Sequence, residues 1–157
     1  MRMKGKKVYF SYRDTFSLDS TLSPVILSAL KRFKEVVTSP EHSDWRGIPG
    51  RVIWDLFPDN DGNLTDEQSA QADARWLEIL DIMIYAFDHK NEPDLKDYNF
   101  KFHHRVLERY ENGGSRITID NDNEAEYQRY KADEKAWQEK VEEGHRLLGQ
   151  YFSCLWW

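Results

Sequence analysis

In "KVYFSYR" the side chains Val8, Phe10 and Tyr12 alternate with Tyr9, Ser11 and Arg13, the period of a half-buried strand over residues 7–13. From Leu22 the period changes to steps of three and four through Val25, Ile26, Ala29, Leu30, Phe33, Val36 and Val37, which predicts an amphipathic helix. Its N-cap is read as Ser23, with Pro24 at the first helical position, or as Asp19 one turn earlier. Residues 38–64 hold three of the five prolines and three of the eight glycines, so they read as a long internal loop, with at most a turn or short strand at 51–54.

"TDEQ" is a capping box in which Thr65 and Gln68 satisfy each other's main-chain amides, and it predicts a helix from Asp66 to about His89. The second half of that helix, "WLEILDIMIYAF", is apolar around most of its circumference and leaves only Glu78, Asp81, Tyr85 and Asp88 as a polar stripe. A helix of this kind belongs at the centre of a fold. "FKFHHRVLERY" reads as a short helix ended by "ENGG", and "RITID" as a short strand that could pair with the first strand. Trp137, Val141, Gly144, Leu148, Tyr151 and Leu155 form a coiled-coil-like seam along a last, long helix.

These elements predict a mainly α (α+β) fold: a helical bundle around a central apolar helix, with a small two-stranded β element. The length of 157 residues suits a single domain over 1–157. Six Trp, eight Tyr and eight Phe supply the core of a chain that is otherwise 32% charged. The formal net charge of -6 argues against general nucleic-acid binding, which needs Lys and Arg to neutralise phosphates. One cysteine allows no internal disulfide, no apolar run approaches the ~20 residues of a membrane span, and "VYFSYRD" is too short and polar for a signal-peptide core. A reducing cytoplasm and no membrane partner are expected.

Catalytic motifs fail on spacing. With Gly62 at the obligatory glycine of a calcium loop, Phe57 and Gln68 fall on ligand positions, so "DNDGN" is an Asp-Gly turn. Glu142 and His145 have the i, i+3 spacing of di-metal bundles but no second pair, and the adjacent His103 and His104 face different directions. There is no phosphate-cradling glycine loop and no nucleophile elbow, so neither a cofactor nor a metal is called for.

Binding chemistry is better represented. "WRGIPGR" offers what stacking on a base and pairing with phosphate require: Trp45, Arg46 and Arg51, with Trp54 following. In this reading Trp45 and Trp54 stack, Arg13, Arg46 and Arg51 meet phosphate, and Asp14 or Asp19 accepts from a ribose or base edge; Asp81 and Tyr85 complete the candidate set. Helix capping accounts for Ser20, Thr21 and Ser23 but not for Arg13 and Asp14, which makes the latter pair the first place to look for a pocket.

Three segments together resemble a widespread group of small proteins encoded by tailed bacteriophages. They carry Asp14, Thr15, Ser17, Asp19, Thr21 and Leu22; then Trp76, Leu80, Asp81, Met83, Ile84 and Phe87; then Gly144, Leu147, Tyr151, Phe152, Leu155 and Trp156. The chain departs from that pattern at Ile82, where an acidic residue is usual, and at Gln150, where Lys is common. The resemblance implies a phage origin and expression in the host bacterial cytoplasm, and by analogy a role against host defence, but it brings no reaction. The leading expectation is a non-enzymatic counter-defence protein that sequesters a nucleotide-derived host signal. The alternatives are an inhibitor of a host protein acting through an acidic and aromatic surface, and a metal-assisted nucleotide hydrolase using Glu78, Asp81 and His145. A homodimer through the last helix is a further expectation.

Overall fold

The computed structural model describes residues 2–4, 7–42 and 47–155. It is a mainly helical fold with minor antiparallel β structure, and it divides into two compact units. One unit comprises Met1–Lys90 and Lys140–Trp157, the other Asn91–Glu139. The elements are β1 (Arg2–Lys4), β2 (Lys7–Tyr9), α1 (Leu18–Thr38), α2 (Gly50–Leu56), α3 (Asp66–Phe87), β3 (Phe102–Arg109), β4 (Ser115–Asn121) and α4 (Glu124–Tyr151), with short 3-10 turns between them.

The first unit is organised by α3. Its capping box forms as expected: the Gln68 amide donates to Thr65 Oγ1 at 3.2 Å and the Thr65 amide to Gln68 Oε1 at 3.0 Å. Ala72, Trp76, Ile79, Leu80, Met83, Ala86 and Phe87 are all buried along it, so α3 has neighbours on several sides, as its apolar circumference requires. Leu30 and Val37 of α1, Val52 of α2, and Leu147 and Tyr151 of α4 close the core around it. Trp76 is the aromatic centre, with Phe33 edge-on at 6.3 Å and the Tyr151 ring at 5.8 Å. Where α4 crosses α3 the contact is backbone to backbone: a Cβ on Gly144 would lie 2.8 Å from the Ile82 carbonyl oxygen and collide with the Ala86 methyl.

The second unit is a hairpin, a few turns and the first half of α4. Residues 102–109 are a strand, not the short helix expected over "FKFHHRVLERY". Phe102, His104 and Val106 alternate in "FHHRV", and the following "ENGG" makes a tight turn instead of a helix stop. Tyr110 N–H donates to Gly114 O at 2.8 Å, Gly113 N–H to Tyr110 O at 3.1 Å, and Gly113 sits at φ +83°, the three-residue hairpin that needs a left-handed glycine. The strand at "RITID" therefore pairs with β3, from Phe102 opposite Asn121 to Arg109 opposite Ser115, with Leu107 as an extra, unpaired residue. It does not pair with residues 7–13.

Three more expectations are corrected. The strand foreseen over 7–13 stops at Tyr9, pairs with Arg2–Lys4, and gives way to a 3-10 turn at Tyr12–Thr15. Residues 51–54 belong to the helix α2 inside the expected loop, buried through Val52. The N-cap of α1 is Ser17, so neither Ser23 nor Asp19 caps it and Pro24 lies inside the helix. Thr21 holds the earlier start, its amide donating to Ser17 O and its hydroxyl to Asp14 O, both at 3.0 Å. The Ser23 hydroxyl turns back to Asp19 O at 2.8 Å beside the proline, which has no amide hydrogen to give. The seam of α4 also shifts: Gly144, Leu147 and Tyr151 are its buried residues, while Trp137 is half-buried.

Candidate functional site

The sequence-derived residues stand on separate elements. Asp14 is one half of a capping box: its carboxylate accepts from the Ser11 amide at 2.6 Å and the Ser11 hydroxyl at 2.8 Å. Capping thus does explain Asp14, and it is what bends the chain out of the strand. Arg13 and Asp19 are exposed at the surface near this turn. Asp81 is ion-paired with Lys34, and the Tyr85 ring lies under the Lys140 ammonium at 5.3 Å. Glu78 pairs with Arg75 at 2.6 Å and the His145 ring packs on Phe87 at 4.9 Å, so the proposed Glu78, Asp81 and His145 trio is dispersed among other partners. Among the described residues no group of three His, Cys, Asp or Glu could hold a metal ion. Trp45 and Arg46 lie outside the described residues.

Arg51 and Trp54 do come together, one turn apart on α2, and they lead to a site that the sequence reading passed over. At its centre is Asp55. One carboxylate oxygen accepts from Tyr151 Oη at 2.6 Å and from Gln150 Nε2 at 3.1 Å, while Arg51 Nε approaches the other at 3.3 Å. Next to this node Arg146 makes a two-pronged pair with Glu143, at 2.6 and 2.7 Å, and donates to Gln150 Oε1 at 2.7 Å. Together Val52, Asp55, Leu56, Arg75, Arg146, Leu147, Gln150 and Tyr151 line a cleft of about 240 Å³.

The electrostatics follow from the placement. Burial and the hydrogen bond to Asp55 push the Tyr151 hydroxyl up to about 12, although the Arg51 and Arg75 guanidiniums pull the other way. The hydroxyl stays protonated at neutral pH and serves as a donor, not as a base. The Arg146 guanidinium holds the Glu143 carboxyl below the ordinary carboxylate range, mainly by hydrogen bonding. Arg75 donates to Glu78 from one of the five N–H groups of a guanidinium and is 38% exposed on its side chain. The cleft therefore presents two guanidiniums, those of Arg75 and Arg146, with the Gln150 amide, the Tyr151 phenol and the Asp55 carboxylate, while Arg51, Glu78 and Glu143 are bonded to residues of its lining.

No family model, curated protein or solved structure matches this chain. The site rests on its own geometry. Its residues left a faint trace in the sequence: Glu143, Arg146 and Gln150 fall at i, i+3 and i+7 on one face of α4, directly beside the buried Leu147 and Tyr151. Beyond its i, i+4 neighbour Arg51, Asp55 has no local signal for the site, because Gln150 and Tyr151 are 95 and 96 residues away.

A second concavity lies in the same unit. Ile26, Leu30 and Phe33 of α1 with Leu148, Phe152 and Leu155 line an apolar groove of about 330 Å³, and Phe152 is 70% exposed at its rim. No helix among the described residues is long and apolar enough to cross a membrane.

Proposed function

We propose that this chain is a phage accessory protein of the host cytoplasm that captures a nucleotide-derived signal of host defence and performs no chemistry on it. The observation that carries the reading is the convergence of Arg75 and Arg146 on one donor-rich cleft whose Asp55 is also held by Arg51, with Trp54 exposed at 68% on the helix that supplies Asp55. Guanidiniums with planar donor forks suit phosphate oxygens, and a flat exposed indole suits a base. At about 240 Å³ the cleft is smaller than the ~300–1,000 Å³ of common ligand pockets, so it would take the phosphate and ribose end while the base lies outside on Trp54. The phage role itself leans on the resemblance of the three motif segments.

Mass spectrometry of material released by heating the protein, after incubation with lysate from defence-activated cells, tests the reading. Recovery of an intact nucleotide that is lost in Arg75→Ala and Trp54→Ala variants supports it. Recovery of a cleaved nucleotide means an enzyme, and capture unaffected by either substitution moves the site elsewhere.

The second reading, an inhibitor of a host protein, is favoured by the apolar groove and the exposed Phe152. Exposed aromatic anchors beside a cavity are what protein interfaces use as energetic centres. A host polypeptide retained by the wild type and released by Phe152→Asp, with no nucleotide recovered, would favour this reading over the first.

A further inference from the structure

The hairpin of the second unit has two open edges, and they differ. The β3 edge is interrupted by the extra residue Leu107, one of the devices by which proteins blunt an exposed edge. The β4 edge has no such interruption, and no Pro or Lys in "SRITIDN". Ile117 and Ile119 are more than half exposed.

The direction of the main-chain groups on β4 can be read from its ends. Tyr110 N–H donates to Gly114 O, and Asp122 N–H donates to Lys101 O. Bonded and non-bonded pairs alternate along an antiparallel ladder, so residues 116, 118 and 120 turn their amides and carbonyls towards β3. Residues 115, 117, 119 and 121 turn theirs outwards.

The sequence of this edge is symmetric about Thr118 in its polar and apolar positions and opposite in charge at the two mirror positions: polar, Arg, Ile, Thr, Ile, Asp, polar. We propose that β4 is a self-recognition edge, through which a second copy of this chain pairs antiparallel about a two-fold axis at Thr118. In that register Ile117 faces the partner's Ile119 and Ser115 faces the partner's Asn121, and all four positions carry outward main-chain groups ready to bond. Arg116 meets the partner's Asp120 on the opposite face. Each row then continues across four strands. Glu108 lies opposite Arg116 within one copy and His103 opposite Asp120, so the row runs Glu108, Arg116, the partner's Asp120, the partner's His103. On the other face Val106 and Ile117 continue into the partner's Ile119 and the partner's His104. A two-stranded hairpin is marginal alone, whereas a four-stranded sheet with one apolar face is not. A one-residue slip would destroy both the charge match and the facial match.

Charge reversal in the full-length chain tests this by sedimentation equilibrium. The wild type is expected to show a reversible monomer–dimer equilibrium. Arg116→Asp sets Asp against Asp120 of the second copy, and Asp120→Arg sets Arg against Arg116; each alone is expected to weaken the dimer by about tenfold or more, since the pair occurs twice per interface. Mixing the two single variants restores opposite charges at both contacts, so a heterodimer forms where neither variant self-associates. Ile119→Pro removes an outward amide without touching the bonds to β3 and is expected to give a monomer. The proposal is overturned by a wild type that stays monomeric at every concentration, by a dimer indifferent to these substitutions, or by single variants that do not recombine on mixing.

Discussion

The two units are stabilised by different means. Every buried residue among the described residues belongs to the unit built on α3; the hairpin unit has none. Around α3, aliphatic side chains and Trp76 interdigitate until Ile79, Leu80 and Met83 lose all contact with water. The hairpin unit instead stacks rings. Phe100 lies edge-on to Phe102 at 5.3 Å and Tyr127 at 5.4 Å, and Tyr98 meets Tyr130 at 5.2 Å. Around these rings the contacts are polar: Tyr98 Oη donates to Asp133 at 2.8 Å and the Arg129 guanidinium lies 5.0 Å over the Tyr98 ring. Burial of volume fixes the first unit. Directional contacts on half-covered rings fix the second, and these tolerate opening because each is worth about 1 kcal/mol.

The largest test of this contrast is Leu80→Ala. A fully buried leucine in a closed core leaves a cavity that its neighbours fill only in part, and about 2–5 kcal/mol of stability should be lost in chemical denaturation. A loss below about 1 kcal/mol would mean that the α3 core is loosely packed. Gly144→Ala attacks the same core by adding volume. The Ile82 carbonyl stands in the way and, being main chain, cannot rotate aside, so α4 must shift; about 1–3 kcal/mol is expected, read as a lower thermal midpoint with little change in helical signal.

What was legible in the sequence follows the same division. The 3.6-residue period of residues 22–37 and 76–87 has one structural solution, so α1, α3 and the central place of α3 were readable, as was the Thr65–Gln68 cap. The "FHHRVLER" stretch was misread because a short run with apolar residues at several spacings fits a helix or a strand, and only its partner β4 decides. The candidate site was the least legible part. Asp55 acquires its meaning from Tyr151 and Gln150, at the far end of the chain, and neither residue signals that pairing locally. Arg51 and Trp54 stand out by their chemistry in the loop sequence; Arg75 and Arg146 have no sequence signal that separates them from other charges on helix surfaces.

Tyr151→Phe sharpens the comparison at intermediate size, because Tyr151 joins the dry core to the polar cleft. Losing the hydroxyl leaves Asp55 with Gln150 and Arg51, at a cost of about 1–2 kcal/mol. The pH dependence has a definite sign. The folded-state value of about 12 lies above the ordinary 10.0, so the native state holds its proton where the unfolded state releases it. The stability from Tyr151 is complete below pH 10 and is lost as pH rises to about 12. The phenylalanine variant should show a shallower alkaline decline over that window in denaturation measured pH by pH, and a parallel decline would show that the hydroxyl is not the group responsible.

The smallest effect is expected from Phe100→Ala, and it bears most directly on the difference between the units. Phe100 contacts Phe102, Tyr127 and Tyr130, so its removal takes the centre out of the ring stack. Each ring contact contributes about 0.5–1.5 kcal/mol beyond burial, yet no sealed cavity forms, because the stack is already open to water. Amide hydrogen exchange should therefore accelerate across β3 and β4 while the amides of α3 keep their protection. Equal acceleration in both would mean that the units open as one cooperative body, and the contrast between a sealed core and an open stack would then describe packing only, not stability. Unchanged exchange in the hairpin would point to another source of order for the second unit, and pairing of β4 with a second copy would supply one; repeating the measurement on the Ile119→Pro chain separates the two, since without the partner strand the Phe100→Ala effect should reappear.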